Sequence, residues 1–110
     1  MQISSRRIGQ AAILDVSGNI DLSSSPEIRK ALLRELRENR TPRVILNLKE
    51  VGYIDSSGIA SLVEGLKASR EVGSRLILFG LSPIAREVLL LTKLIGLFEI
   101  CDGEEAALQA

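Results

Sequence analysis

Val44-Ile45-Leu46-Asn47-Leu48, then Lys49 to Ile54, then Asp55-Ser56-Ser57-Gly58, is the stretch that decides the fold. The first five residues are almost wholly apolar, the pattern of a strand covered on both faces. After Gly58, the residues Ile59, Leu62, Val63 and Leu66 recur at i, i+3, i+4 and i+7, the period of an amphipathic helix. A buried strand passing through a short polar loop into a helix is the unit of an α/β protein. It also sets hydroxyls at a helix N-terminus, where unpaired N–H groups and a partial positive charge gather. A serine there can cap the helix, and a phosphate carried by it is equally well received.

The same alternation extends in both directions. Gln2 to Arg7 and Ala11 to Val16 are predicted as two strands of a hairpin turning at Gly9-Gln10. Ser23-Ser24-Ser25-Pro26-Glu27 starts a helix, with a serine cap, proline at its first position and an early acid. Ile28, Ala31, Leu32 and Leu36 mark its inner face to about Arg40, with Arg29, Lys30, Arg34, Arg37 and Glu38 solvated, and Thr41-Pro42 stops it. The helix after the central loop runs from Ser57 to about Val72, with Gly73 as its left-handed cap. Leu76 to Phe79 is a second buried strand. Ser82-Pro83 opens a third helix with Ile84, Ala85, Val88, Leu89 and Leu91 on or near its inner face. Leu97 to Cys101 is a short last strand and Glu104 to Gln109 a possible final helix.

The order is therefore ββαβαβαβ with an optional last α. It implies one α/β domain over residues 1–110, with a mainly parallel sheet, an N-terminal antiparallel hairpin strand and helices packed on the sheet. In parallel units the loops that follow the strands emerge at one end of the sheet. Gly18 to Ser25, Lys49 to Gly58 and Gly80 to Pro83 are three such loops, so Asp21, Ser56, Ser57 and Ser82 are expected along one rim.

Composition narrows what that rim does. Fourteen basic residues balance fourteen acidic ones, so no net field recruits nucleic acid or anionic lipid. Tyr53, Phe79 and Phe98 are the only aromatics, too few for a base-stacking platform. The chain has no histidine and one cysteine, Cys101, which removes the commonest general base and the usual zinc ligand sets. No metal or cofactor is expected. Ser56 or Ser57 as a hydrolase nucleophile lacks both Ser-x-x-Lys and Gly-x-Ser-x-Gly surroundings. Gly52 and Gly58 are not followed by Gly-Lys-Ser/Thr, so a phosphate-binding loop is not indicated either. The first residues lack the apolar core of a signal peptide, and no uninterrupted apolar run, Val88 to Leu91 included, exceeds four residues, far too short to insert in a membrane. A cytoplasmic, non-enzymatic protein is the expectation. Asp21 serves equally as a turn residue, Cys101 as a small buried one, and the leucines from Leu89 to Leu94 as core with a possible exposed patch.

Gly18-Asn19-Ile20-Asp21, Val44 to Leu48 and Tyr53-Ile54-Asp55-Ser56-Ser57-Gly58, in that order, resemble the signature of STAS domains, and among them the bacterial anti-sigma factor antagonists. The Gly80-Leu81-Ser82-Pro83 stretch fits as well. The family often has Gly-Leu-Gly after the serines, where this chain has Gly58-Ile59-Ala60. The resemblance implies that the unphosphorylated protein binds a kinase-type anti-sigma factor and so frees a sigma factor. It implies that this serine kinase phosphorylates Ser56 and that a serine/threonine phosphatase reverses the step. Asp21, Asp55, Ser56, Ser57, Gly58 and Ser82 are the partner-binding set it implies. It leaves two other roles open: a subunit docked on a membrane transporter of the lipid-transport type, or a stressosome component.

Overall fold

The computed structural model describes residues 1–110. β1 (Gln2–Ile8) and β2 (Ala11–Ser17) form the hairpin, and Gly9 at its tip has φ +60, which suits a two-residue turn with glycine first. Then come α1 (Ser25–Leu33), β3 (Arg43–Glu50), α2 (Ser56–Val72), β4 (Arg75–Phe79), α3 (Pro83–Leu91), β5 (Glu99–Cys101) and α4 (Glu104–Gln109). The sheet order is β1-β2-β3-β4-β5, with β1 antiparallel to β2 and every other pair parallel. This is the predicted α/β architecture, and the final helix forms.

Strand alternation divides the core between the two faces. Leu14, Val16, Val44, Leu46, Leu48, Leu76 and Leu78 point to one face, where α1, α2 and α3 lay down Ile28, Leu32, Leu36, Leu62, Leu66 and Leu89. Ile13, Ile45, Ile77 and Phe79 point to the other face, which α4 covers with Ala107. Each Leu or Ile buried this fully contributes about 1.5–3 kcal/mol. Exposed ion pairs such as Arg37–Glu71 are worth about 0–1 kcal/mol, so the apolar stripes place the helices.

Several elements differ from expectation. α1 does not stay α-helical to Arg40: after Leu33 it widens into one turn of π-helix over Arg34–Glu38. There Asn39 N–H donates to the Arg34 carbonyl at 2.9 Å, and Thr41 N–H to that of Glu35 at 3.0 Å. Two causes act together. Thr41 precedes Pro42, which disfavours helical backbone. Glu35 is pulled inward to 6 % exposure, where its carboxylate accepts from the Thr41 hydroxyl and the Arg7 guanidinium, both at 2.8 Å. In α3, Ala85 and Leu89 are buried and Val88 half-buried, but Ile84 and Leu91 are 56 % and 75 % exposed rather than inward-facing. The helix sits at the margin of the layer, so only a narrow stripe of it meets the core. The last strand is shorter than expected, because Ile95–Leu97 form a 3-10 turn before β5. Cys101 is half-buried on edge strand β5 rather than enclosed.

On the second face, Arg6 ties the hairpin to α4. Its guanidinium donates to Asp15 at 2.6 and 2.9 Å and to Glu104 at 2.7 and 3.3 Å. Arg43 donates to the Leu108 and Ala110 carbonyls, and Arg75 to Ala110 at 2.6 Å. The hydrogen bonds from Arg6 hold the Asp15 and Glu104 carboxyls below their ordinary ranges. A depressed folded-state pKa gives stability that is present above the unfolded value and lost as pH falls through the folded one. Thermal stability is therefore expected to decline as the pH drops below about 4.5. In Arg6→Ala this decline should be shallower, as melting temperatures measured from neutral pH into acid will show.

Candidate functional site

The rim begins with β3. Near its end the strand shifts register, with Val51 N–H donating to the Leu48 carbonyl at 3.0 Å, and the chain continues parallel to the loop that leaves β2. The two loops are joined as if they were short strands. Gly18 N–H reaches the Glu50 carbonyl at 3.1 Å, Ile20 N–H that of Tyr53 at 3.0 Å, and Asp55 N–H that of Ile20 at 3.0 Å. Ile20 and Ile54 form a parallel bridge and are both fully buried beneath it. The third loop joins through Ser82, whose hydroxyl donates to the Gly52 carbonyl at 3.2 Å and accepts from Ala85 N–H at 3.1 Å, capping α3. Asp21, Ser56, Ser57 and Ser82 thus share one end of the sheet, as the parallel topology predicts.

The cap of α2 is Asp55, not a serine. One carboxylate oxygen accepts from Gly58 N–H at 3.0 Å, and the other from Leu22 N–H at 3.1 Å in the neighbouring loop. One side chain therefore satisfies a helix end and fastens two loops. Ser56 becomes the first helical residue, so α2 starts one position earlier than expected. It is exposed, and its hydroxyl makes no hydrogen bond within the protein. Ser57 is half-buried.

The Asp55 cap leads to a stability prediction. An N-cap Asp replaced by Ala costs about 0.5–2 kcal/mol. Asp55→Ala also strands the Leu22 amide, so a loss at the upper end of that range is expected from urea denaturation. Asp55→Asn, which can still accept, should lose less than half as much.

The remaining members of the expected set divide by burial. Asp21 is a turn organiser: Oδ1 accepts from the Ser23 and Ser24 amides at 3.1 and 3.2 Å and from the Ser23 hydroxyl at 2.8 Å. Chief among these, the Ser23 hydroxyl lowers the Asp21 pKa. Ser24 stands at the cap position of α1, but its hydroxyl donates back to the Asn19 carbonyl at 2.8 Å instead of capping the helix. Gly58, also in the expected set, is buried where α2 meets the rim. A Cβ there would lie 2.7 Å from the Ile20 carbonyl oxygen and from the Cγ2 atoms of Ile20 and Ile54. Its role is to let α2 close onto the rim.

Sequence reading missed the apolar members of this surface. Leu22 and Tyr53, 75 % and 45 % exposed, come from the first two of these loops, and exposed Ile84 from the first turn of α3. Their signal was position alone, since each follows closely on a strand end. No group of three His, Cys, Asp or Glu side chains stands close enough to hold a metal ion, and no helix is long and apolar enough to cross a membrane.

A mixed sheet whose strand-end loops are hydrogen-bonded into a part-apolar rim, with Ser56 exposed at a helix start, makes a small α/β domain with one candidate binding end. The family model described as the STAS domain matches residues 2–107, and the chain belongs to that family. Within it the chain falls with the anti-sigma factor antagonists. It is similar to the anti-sigma-B factor antagonist of Listeria monocytogenes, 35% identical over 90 residues that cover 81% of this chain and 77% of that protein. A Thermotoga maritima crystal structure, assigned as an anti-sigma factor antagonist, superposes with a TM-score of 0.90 at 21% identity, over 97% of this chain and 92% of that one. The Bacillus cell fate determinant SpoIIAA in its phosphorylated form gives 0.77 at 22% identity, over 98% and 97%.

Proposed function

We propose that this chain is a phosphorylation-switched anti-sigma factor antagonist. Unphosphorylated, its rim binds a kinase-type anti-sigma factor in the cytoplasm, and the sigma factor that the kinase held is released. The same kinase phosphorylates Ser56, and a serine/threonine phosphatase restores the binding form. The observation that carries this is the division of labour at Asp55-Ser56. The aspartate holds the helix end and the adjoining loop, which leaves the serine exposed and without any structural task.

The chemistry follows from that division. Phosphorylation adds about −1.5 to −2 charges at neutral pH. At the first residue of a 17-residue helix the new charge is stabilised by the helix dipole and nearby free N–H groups. The domain then stays folded, and the effect falls on the partner, whose surface meets added negative charge beside Asp55. The Leu22, Tyr53 and Ile84 side chains supply apolar contact area around the switch. Asp21, Asp55, Ser57, Gly58 and Ser82 complete the partner-binding rim, whose shape the bonds of Asp21, Asp55 and Ser82 hold.

Incubation with the cognate anti-sigma factor kinase and ATP, followed by mass spectrometry, tests the assignment. Phosphate on Ser56 alone is the expected result. Phosphate on Ser57 instead, or none at all while Ser56→Asp still binds the kinase normally, would remove the switch.

A further inference from the structure

β1 is an edge strand seven residues long, and nothing in the chain lies against its outer side. Which of its backbone groups are free follows from the hairpin. In a two-residue turn the flanking residues, here Ile8 and Ala11, form a hydrogen-bonded pair, and bonded and non-bonded pairs then alternate. Arg6–Ile13, Ser4–Asp15 and Gln2–Ser17 are bonded, so the N–H and C=O groups of Ile3, Ser5 and Arg7 point outward. The edge carries no proline and no bulge, two of the devices that keep such an edge from pairing, and its charged residues, Arg6 and Arg7, are engaged by Asp15, Glu104 and Glu35 of the same chain.

Beside this edge lies a groove of about 290 Å³ between β1 and α1, with Ile3, Ser5, Glu27, Lys30, Ala31 and Arg34 among its walls. α1 returns from the end of β2 towards the start of β3, so it runs in the direction of β1. The Arg7–Glu35 pair at 2.8 Å fixes how far along the two elements match. Ser5 therefore lies level with the middle of the Glu27–Arg34 segment. Glu27, Lys30 and Arg34 are exposed and form no ion pair within the chain.

We infer that this edge pairs with a second copy of the chain, β1 against β1, around a two-fold axis through Ser5. The register is self-complementary, as a two-fold interface requires. Ser5 faces the second copy's Ser5, and Ile3 faces its Arg7, so the outward groups of all three residues are satisfied. Arg6 falls opposite Ser4, and no arginine meets an arginine. The same axis lies midway between Glu27 and Arg34 and brings each Glu27 towards the other copy's Arg34. Glu27 and Arg34, left unpaired in one chain, are thus paired twice in the dimer, while Lys30, at the level of the axis, faces the other copy's Lys30 across it. An extended peptide from another protein could add to such an edge, but it would have no reason to repeat this charge order. The sheet becomes continuous across ten strands, and the two rims stay open because they lie at the strand ends.

Sedimentation velocity from about 1 μM to about 1 mM protein tests this over the range of weak to moderate dimers. The mass is expected to rise from 11.9 kDa towards twice that value. Ser5→Pro removes an outward N–H that β2 does not use, at an edge where proline is tolerated. It should abolish the dimer while circular dichroism shows a folded monomer. Glu27→Lys should raise the dissociation constant at least about tenfold, since it sets like charges together at two symmetric places. Adding Arg34→Glu should restore it to within about threefold of wild type. A wild type that stays at 11.9 kDa throughout overturns the inference, including the case in which the edge takes up an extended peptide instead. So does a dimer indifferent to both Ser5→Pro and Glu27→Lys.

Discussion

Ser56→Asp is expected to lower affinity for the anti-sigma factor kinase at least about 100-fold, while leaving the melting temperature unchanged or slightly raised. The two effects have opposite signs because they have different causes. A like charge set against a partner's surface costs several kcal/mol, and each 1.4 kcal/mol is tenfold in affinity. Within the domain, an acid in the first turn of a helix is favourable by about 0.3–1 kcal/mol. Ser56→Ala should bind as wild type does and stay insensitive to ATP, since the hydroxyl makes no bond in the fold. Isothermal titration calorimetry beside thermal denaturation reads both quantities. A Ser56→Asp variant that loses binding together with several degrees of stability would show that the residue acts through the fold instead.

Gly58→Ala is expected to lower stability even though it favours the helix. Helix propensity alone would reward the change by up to about 1 kcal/mol. The added methyl, however, would sit 2.7 Å from the Ile20 carbonyl oxygen, and that oxygen accepts the Asp55 amide at 3.0 Å. Relief requires either Ile20 to move, which breaks the join between the loops, or α2 to lift from the core. Overpacking of this kind costs about 1–3 kcal/mol or more, so a net loss of about 2 kcal/mol and a melting temperature lower by about 10 °C are expected. A rise in melting temperature would mean that the rim yields more easily than its hydrogen bonds imply. Gly65, where a Cβ would meet the flexible end of Leu32 at 2.9 Å, should tolerate alanine better.

The contrast between these two positions marks what the sequence could express. Apolar runs at Val44–Leu48, interrupted only by Asn47, and at Leu76–Phe79, separated by helical periodicity, determine strand type, element order and hence the end of the sheet on which the loops gather. Placement of Asp21, Ser56, Ser57 and Ser82 on one rim follows from topology and needs no coordinates. The identity of the α2 cap does not follow in the same way. Asp and Ser are equally good caps locally, and Asp55 prevails because its second oxygen finds the Leu22 amide, a contact across 33 residues. The burial of Glu35 is hidden for the same reason, since its partners, Arg7 and Thr41, come from other segments. Ile84 and Leu91 read as inward because helical periodicity gives a stripe but not its width, and α3 meets the core along only part of its apolar side.

The joining of the β2 and β3 loops by backbone hydrogen bonds also bears on rates. A surface that is ordered before its partner arrives has no loop to fold during encounter, so association should proceed in the ordinary protein–protein range of about 10⁵–10⁷ M⁻¹s⁻¹. Differences in affinity between kinases, or between nucleotide states of one kinase, would then appear in how long the complex lasts. The antagonist would sample its partners quickly and indiscriminately, and the lifetime of each encounter would decide which of them it holds.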